Sequence, residues 1–235
     1  MLDELKEKVY RANLKIIDYQ LVTLTWGNVS GLDPQEKLIV IKPSGVSYEE
    51  MNPESMVVID LKGTVIEGHL KPSSDTPTHI ELYKAFNGVC SIAHTHSDYA
   101  SMFAQANKEM PCLGTTHADY FNGNIPVTRF LNQEEVEKDY EKNTGKAIVE
   151  TFRDLDPLEL PAVLVAGHGT FVWGKTPDKA VEVSLALEKA AKMAWGTLGL
   201  KTRNKLLPDY ILRKHFSRKH GPDAYYGQEG GQKDD

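Results

Sequence analysis

Three runs rich in valine, isoleucine and threonine, at residues 21–29, 37–42 and 56–66, follow one another with connections too short for helical crossovers. Parallel neighbours need such crossovers, so the runs favour antiparallel pairing. The third is interrupted at Lys62-Gly63, a two-residue hairpin signal. Helical patterns flank this block. Leu5, Val9, Ala12 and Ile16 share one face of a helix predicted over residues 3–19. Asp75-Thr76-Pro77 opens a second, which stops at Asn87-Gly88. A short strand at 91–95 and a helix at 99–106 follow, and Asn132 caps a helix running to about residue 153. The apolar run 160–166 reads as a central strand, and Thr176-Pro177-Asp178 opens a long helix with Val181, Leu185, Ala191 and Trp195 as its core stripe. The expected fold is α/β of the α+β kind: a largely antiparallel central sheet flanked by helices, in one domain over residues 1–228. Beyond Gln228 the Gly, Gln, Lys and Asp residues carry no apolar period, and disorder is expected.

The 33 acidic residues outnumber the 27 basic ones, giving a net charge of −6, the wrong sign for attraction to a phosphate backbone. Nucleic acid is therefore not an expected partner. The N-terminal pattern is amphipathic and charged throughout, unlike a signal peptide, and no run reaches membrane-spanning length. A membrane is not an expected partner either, and a cytoplasmic location is expected. Cys90 and Cys112 form no C-x-x-C pair; both are expected reduced, with Cys90 buried.

His94 and His96 lie two apart at the end of a predicted strand, which projects both imidazoles from one sheet face. His168 ends another strand between Gly167 and Gly169, which permit close backbone approach. Spacing alone fits either a chelate or hydrogen-bonded core histidines. The chelate is the more economical for the paired residues, because a divalent cation satisfies several buried ring nitrogens at once. Three neutral imidazoles leave coordination positions open for substrate oxygens, the arrangement of a catalytic site. Zinc suits these ligands first, manganese or cobalt second.

Gly27-Asn28, Lys42-Pro43-Ser44-Gly45 and Ser73-Ser74 are polar turns whose N–H groups and hydroxyls suit a phosphate monoester, although spacing alone favours plain turns. Gly169 to Thr176 also matches the nucleotide-binding pattern G-x-x-x-x-G-K-[ST]. Its interior, Thr170-Phe171-Val172-Trp173, is bulky and strand-forming, and Pro177 removes a donor from the next helix, so the match reads as accidental.

Together with Thr25-Trp26-Gly27-Asn28-Val29-Ser30, Pro72-Ser73-Ser74-Asp75-Thr76-Pro77-Thr78-His79, Gly114-Thr115-Thr116-His117-Ala118-Asp119-Tyr120-Phe121 and Tyr225-Tyr226-Gly227-Gln228, these segments resemble the class II aldolase and adducin-like superfamily. Within it they look most like the pentulose-phosphate 4-epimerases, over nearly the whole chain. The resemblance implies that His94, His96 and His168 bind the metal, with Asp75 as ligand or acid/base. It implies that Gly27, Asn28, Ser44, Gly45, Ser73 and Ser74 hold the phosphate, with Lys42 in support. It implies a homotetramer in which Asp119 and Tyr226 serve a neighbouring subunit's site as acid/base groups, Glu141 and His215 lying nearby. From spacing alone, Asp119 reads as a cap and Tyr226 as a tail residue. One departure is visible: the family usually carries Ser or Asn before the third histidine and Gly-Pro-Phe after it, where this chain has Gly167 and Gly169-Thr170-Phe171. Support of His168 is the point this leaves open.

The expected reaction interconverts L-ribulose 5-phosphate and D-xylulose 5-phosphate. Carbon 4 is β to the ketone, so its hydrogen is not acidic, and no G-x-G-x-x-G follows a predicted strand to bring a nicotinamide cofactor. Retro-aldol cleavage and re-addition remain, with two groups moving protons on opposite faces. The rivals are an aldolase of the same fold acting on a fuculose- or rhamnulose-type deoxyketose 1-phosphate, and a non-catalytic adducin-like scaffold. Asp75, where such aldolases tend to carry Glu, argues against the first, and the three histidines against the second.

Overall fold

The computed structural model describes residues 2–200, 205–222 and 224–226. Its centre is a seven-stranded sheet in the order β4-β3-β2-β1-β5-β7-β6, with every ladder antiparallel. The strands are β1 (Asn28–Asp33), β2 (Leu38–Ile41), β3 (Val57–Asp60), β4 (Val65–Glu67), β5 (Ser91–Thr95), β6 (Ala162–Leu164) and β7 (Thr170–Gly174). The helices are α1 (Asp3–Asp18), α2 (Thr76–Ala85), α3 (Asp98–Gln105), α4 (Thr115–Ala118), α5 (Gln133–Thr151), α6 (Pro177–Gly199) and α7 (Asp209–His220).

Both sheet faces are covered, and β1 shows how. Ser30 meets His79 and Tyr83 of α2 on one face, while a Cβ at its neighbour Gly31 would overlap Leu5 and Val9 of α1 on the other. Alternation of side chains along a strand requires this division. On the α2 and α5 side, Trp173 packs against Phe86 and Phe152 with ring centres 4.9 and 5.1 Å away. Such burial is worth about 1.5–3 kcal/mol per large side chain. On the other side, Asn13 of α1 exchanges hydrogen bonds with the Val29 backbone at 2.8 and 2.9 Å, tying the helix to β1.

The caps at Asn132 and Thr176 form as their residues dictate, whereas the Asp75 side chain makes no capping bond to α2 and accepts from Asn28 instead. Asn132 and Glu135 make a reciprocal capping box, and the Thr176 hydroxyl accepts from the Lys179 N–H. The bounds of β5 coincide with the run expected. Four expectations require correction. Residues 21–26 form a turn and not a strand, because Lys42 and Tyr48 side chains take the carbonyls of Thr25, Trp26 and Gly27 that a ladder would need. The run 160–166 yields an edge strand, β6, rather than a central one; it is apolar because residues 126–128 bond along its outer side and α3 packs on it. On α6 Val181 and Ala191 of the expected stripe are buried, but the buried face continues through Ala180, Val183, Ser184, Leu187 and Ala194, leaving Leu185 half-buried and Trp195 55% exposed. Cys90 is half-buried and Cys112 buried; both are free thiols. Helix α7 was not expected, and residues 229–235, where disorder was expected, lie outside the described residues. Among the described residues, no helix is long and apolar enough to cross a membrane.

Candidate active site

The antiparallel register of the three central strands builds the histidine cluster. In β5, His94 pairs with Asn28 of β1 and Phe171 of β7, and its ring stacks on Phe171 at 4.3 Å. His94 Nδ1 donates to the Thr170 carbonyl at 2.8 Å, which assigns the proton to Nδ1 and leaves the Nε2 lone pair facing outward. His96 follows the strand end, with its Nε2 3.0 Å from His94 Nε2. His168 does not end a strand, as the sequence suggested, but sits in the turn between β6 and β7 that Gly167 and Gly169 make possible, its ring centre 4.9 Å from each of the other two. One ligand nitrogen from each ring lies within 4.8 Å of the others. Burial, reinforced by the neighbouring imidazoles, lowers the pKa of His96, and lowers that of His168 to about 4. These two rings are therefore unprotonated at neutral pH. Converging neutral nitrogens on rigid backbone are a donor set that fits a divalent cation.

Glycine at position 169 is what lets these rings approach. A Cβ there would stand 2.7 Å from the Thr95 carbonyl and 2.9 Å from His96 Cδ2. Gly169→Ala is expected to displace His96 and weaken cation binding about 10–100-fold while the fold is kept. Competition with a chromophoric chelator measures this, and unchanged affinity would show that the loop gives way freely.

The unusual flanks of His168 make contacts of their own. Gly167 holds a left-handed φ of 70°, and a Cβ there would meet the Phe130 ring at 2.9 Å. Thr170 serves His94 through its carbonyl and Thr95 through its hydroxyl. Tyr140, which was not expected at the site, places its hydroxyl 3.3 Å from His168 Nδ1. Its position follows from a break in α5 at Asp139 (φ −149°, ψ 64°), immediately before it.

The histidines open into a cleft of about 340 Å³. Every residue expected to hold phosphate lines it: Gly27, Asn28, Ser44, Gly45, Ser73 and Ser74. Lys42 and Asp75 line it too. Two of the turns are zipped together by Ser44 N–H to Lys71 and Ser73 N–H to Lys42. The Gly45 and Ser74 N–H groups and the Ser44 and Ser74 hydroxyls have no acceptor among the described residues, so they are free for an anion. Asn28 donates to Asp75 at 2.7 Å and to Ser73 at 3.1 Å, while its buried Oδ1 has no partner among the described residues. Burial opposes ionisation of Asp75, yet His94, His79 and the Asn28 amide together hold its pKa below the ordinary value. Burial pushes the Lys42 ammonium below the usual lysine range, with Asp75 opposing. The accidental nucleotide motif is, as expected, no loop: Thr170–Gly174 is strand β7, with Phe171 and Val172 fully buried.

Asp119 and Tyr226 do not line this cleft; they meet each other's neighbours elsewhere on the chain. Asp119, at the end of α4, accepts from Arg218 at 2.8 and 2.9 Å and from His215 at 2.9 Å, both on α7. Desolvation opposes, but these partners hold its carboxyl below the usual range. The exposed Tyr226 ring lies over Arg218 and Lys219, each 4.7 Å from its centre. Arg218 was not foreseen because its helix was not. Glu141 belongs to neither cluster; its carbonyl accepts from Thr78 at 2.6 Å.

Residues 7–195 match the family described as Class II Aldolase and Adducin N-terminal domain. The chain is 50% identical over 228 residues to L-ribulose-5-phosphate 4-epimerase UlaF of Salmonella paratyphi C (strain RKS4594), covering 97% of this chain and 100% of that protein. Among solved structures it is similar to an L-fuculose 1-phosphate aldolase (TM-score 0.78, 25% identity, 92% of this chain and 95% of that one). It shares its fold with YgbL of Klebsiella pneumoniae, described as a possible aldolase, epimerase or decarboxylase (TM-score 0.73, 23% identity, 91% and 99% covered).

Proposed function

The chain belongs to the class II aldolase and adducin family, and from that membership we propose that it is a sugar-phosphate epimerase interconverting L-ribulose 5-phosphate and D-xylulose 5-phosphate at carbon 4. The observation that carries this reading is a single cleft in which a three-imidazole cluster faces turns with unspent N–H and hydroxyl donors. One end suits the ketone and its neighbouring hydroxyl, the other a phosphate monoester.

His94, His96 and His168, with Asp75 beside them, would hold a divalent cation, zinc the first choice, and it would supply Lewis-acid stabilisation of the negative charge that develops when carbons 3 and 4 separate. The protein's own groups do the rest. The Thr170 carbonyl holds His94 in the tautomer that presents Nε2 to the cleft. Ser44, Gly45 and Ser74, with Gly27, Asn28 and Ser73 around them, hold the phosphate so that the two-carbon fragment stays while its carbonyl turns. Lys42 adds positive charge at the same end. Asp119 and Tyr226 move the protons on opposite sides of the carbon 4 oxygen, and they do so in a neighbouring subunit's cleft within a homotetramer. His215 and Arg218 hold the Asp119 carboxylate in one orientation for this task. The setting is cytoplasmic, where phosphorylated sugars are formed and retained by their charge.

The test is conversion of L-ribulose 5-phosphate to D-xylulose 5-phosphate with and without a chelator, beside cleavage of L-fuculose 1-phosphate. Epimerisation that disappears with the chelator and returns with zinc is expected. Faster turnover of L-fuculose 1-phosphate would instead make the chain an aldolase.

A further inference from the structure

Among the described residues of the cleft wall, Trp26 alone brings a large apolar face; most of the others are imidazoles, hydroxyls, an amide, a carboxylate and an ammonium. Its side chain is 52% exposed, so its burial energy is largely unused in the chain as it stands. The loop beneath it is nonetheless rigid. The Trp26 N–H donates to the Thr23 carbonyl at 3.1 Å, and the Tyr48 hydroxyl lies 2.8 and 3.0 Å from the Trp26 and Gly27 carbonyls. Gly27 has a left-handed φ of 73°, and a Cβ there would overlap Val22 and the His94 carbonyl. The indole is therefore held from its backbone while its ring stands free on the cleft side.

Its position lies between the two ends of the site. In sequence Trp26 adjoins Gly27 and Asn28 of the phosphate turn, and its ring centre is 6.1 Å from that of His96 in the imidazole cluster. A substrate spanning the two ends places its breaking bond along this stretch of wall. We propose that Trp26 retains the aldehyde fragment between cleavage and re-addition, and so keeps the reaction an epimerisation rather than a net cleavage. This rests on the epimerase reading and deepens it.

Cleavage removes the proton of the carbon 4 hydroxyl, converts that carbon to an aldehyde and leaves the electrons of the carbon 3 to carbon 4 bond in a three-carbon enediolate. Re-addition to the other aldehyde face reverses every one of these changes with inverted configuration. If the fragment escapes first, the enediolate takes up a proton at carbon 3, and dihydroxyacetone and glycolaldehyde phosphate leave, together holding all the atoms of the substrate. The phosphate turns grip one end only. The flat face of the indole confines the other end by contact and not by a hydrogen bond that would lock one carbonyl face, so the aldehyde can turn yet not depart.

The experiment uses the intact enzyme with its metal and follows L-ribulose 5-phosphate by proton NMR, comparing free dihydroxyacetone and glycolaldehyde phosphate with D-xylulose 5-phosphate. Trp26→Ala is expected to raise the released-to-epimerised ratio at least about tenfold, with metal content and tetramer mass unchanged, and Trp26→Phe to restore most of the parental ratio. A slower Trp26→Ala enzyme with an unchanged ratio overturns the proposal, as does a Trp26→Ala protein that dissociates, because the indole then serves the assembly. A parent that forms no D-xylulose 5-phosphate overturns the epimerase reading itself, so the two failures are distinguishable.

Discussion

Replacing His96 with alanine is expected to remove the bound cation and the epimerase activity together, the rate falling by about three to five orders of magnitude. The size follows from the chemistry. Separating carbons 3 and 4 places a full negative charge on the three-carbon fragment, and Lewis-acid stabilisation contributes several kcal/mol. His96 is the imidazole whose loss most clearly tests this, because it lies beyond the end of β5 and is only half-buried, its ring centre 6.1 Å from that of Trp26. His94, by contrast, is buried, stacked on Phe171 and bonded to Thr170, so its removal would also disturb the sheet. Elemental analysis of purified His96→Ala protein, together with its turnover and far-ultraviolet circular dichroism, separates loss of the ion from loss of the fold. A well-folded variant that keeps stoichiometric metal and parental turnover would remove the three-imidazole site from the mechanism.

The histidine site was legible because it obeys local rules. Alternation along a strand predicts that a His-x-His pair shares a face, and β5 runs over the residues expected, with His96 just past its end. The glycines beside His168 announced a close approach, and the contacts that a Cβ at 169 would make explain why. The turns at 27–28, 42–45 and 73–74 also converge as expected, although nothing local foretold that pairing of Pro43 with Pro72 would bring two of them together. What stayed hidden is set by tertiary partners. Residues 21–26 carry β-forming side chains, yet Tyr48 and Lys42, from elsewhere in the chain, claim their carbonyls. The strand β6 is as apolar as a central one because the 126–128 segment and α3 cover its edge. Helix α7 has a charged sequence with one buried residue, Phe216, so no apolar period reveals it. Tyr140 reaches His168 only because α5 breaks at Asp139, a distortion with no proline or glycine at that position to signal it.

Tyr226→Phe is expected to lower epimerisation by about two to four orders of magnitude while metal content and tetramer mass stay at parental values. The substitution removes one hydroxyl and keeps the ring, so its packing over Arg218 and Lys219 survives. The proton inventory of the reaction gives the hydroxyl its importance: the carbon 4 oxygen must lose a proton on one side and regain one on the other, and one group cannot serve both. Asp119, held ionised by Arg218 and His215, suits one side, and the Tyr226 phenol beside the same arginine suits the other. Within one chain neither residue lines the histidine cleft, so on the epimerase reading they act across a subunit boundary. That arrangement makes a sharper forecast than either variant alone. Mixing His96→Ala and Tyr226→Phe chains under conditions that exchange subunits is expected to regenerate about a quarter of the parental rate, because half the clefts keep His96 and half of those face a neighbour that keeps Tyr226. Mixtures as inactive as their components would confine each site to one chain, and a Tyr226→Phe enzyme as fast as the parent would take the phenol out of the proton path.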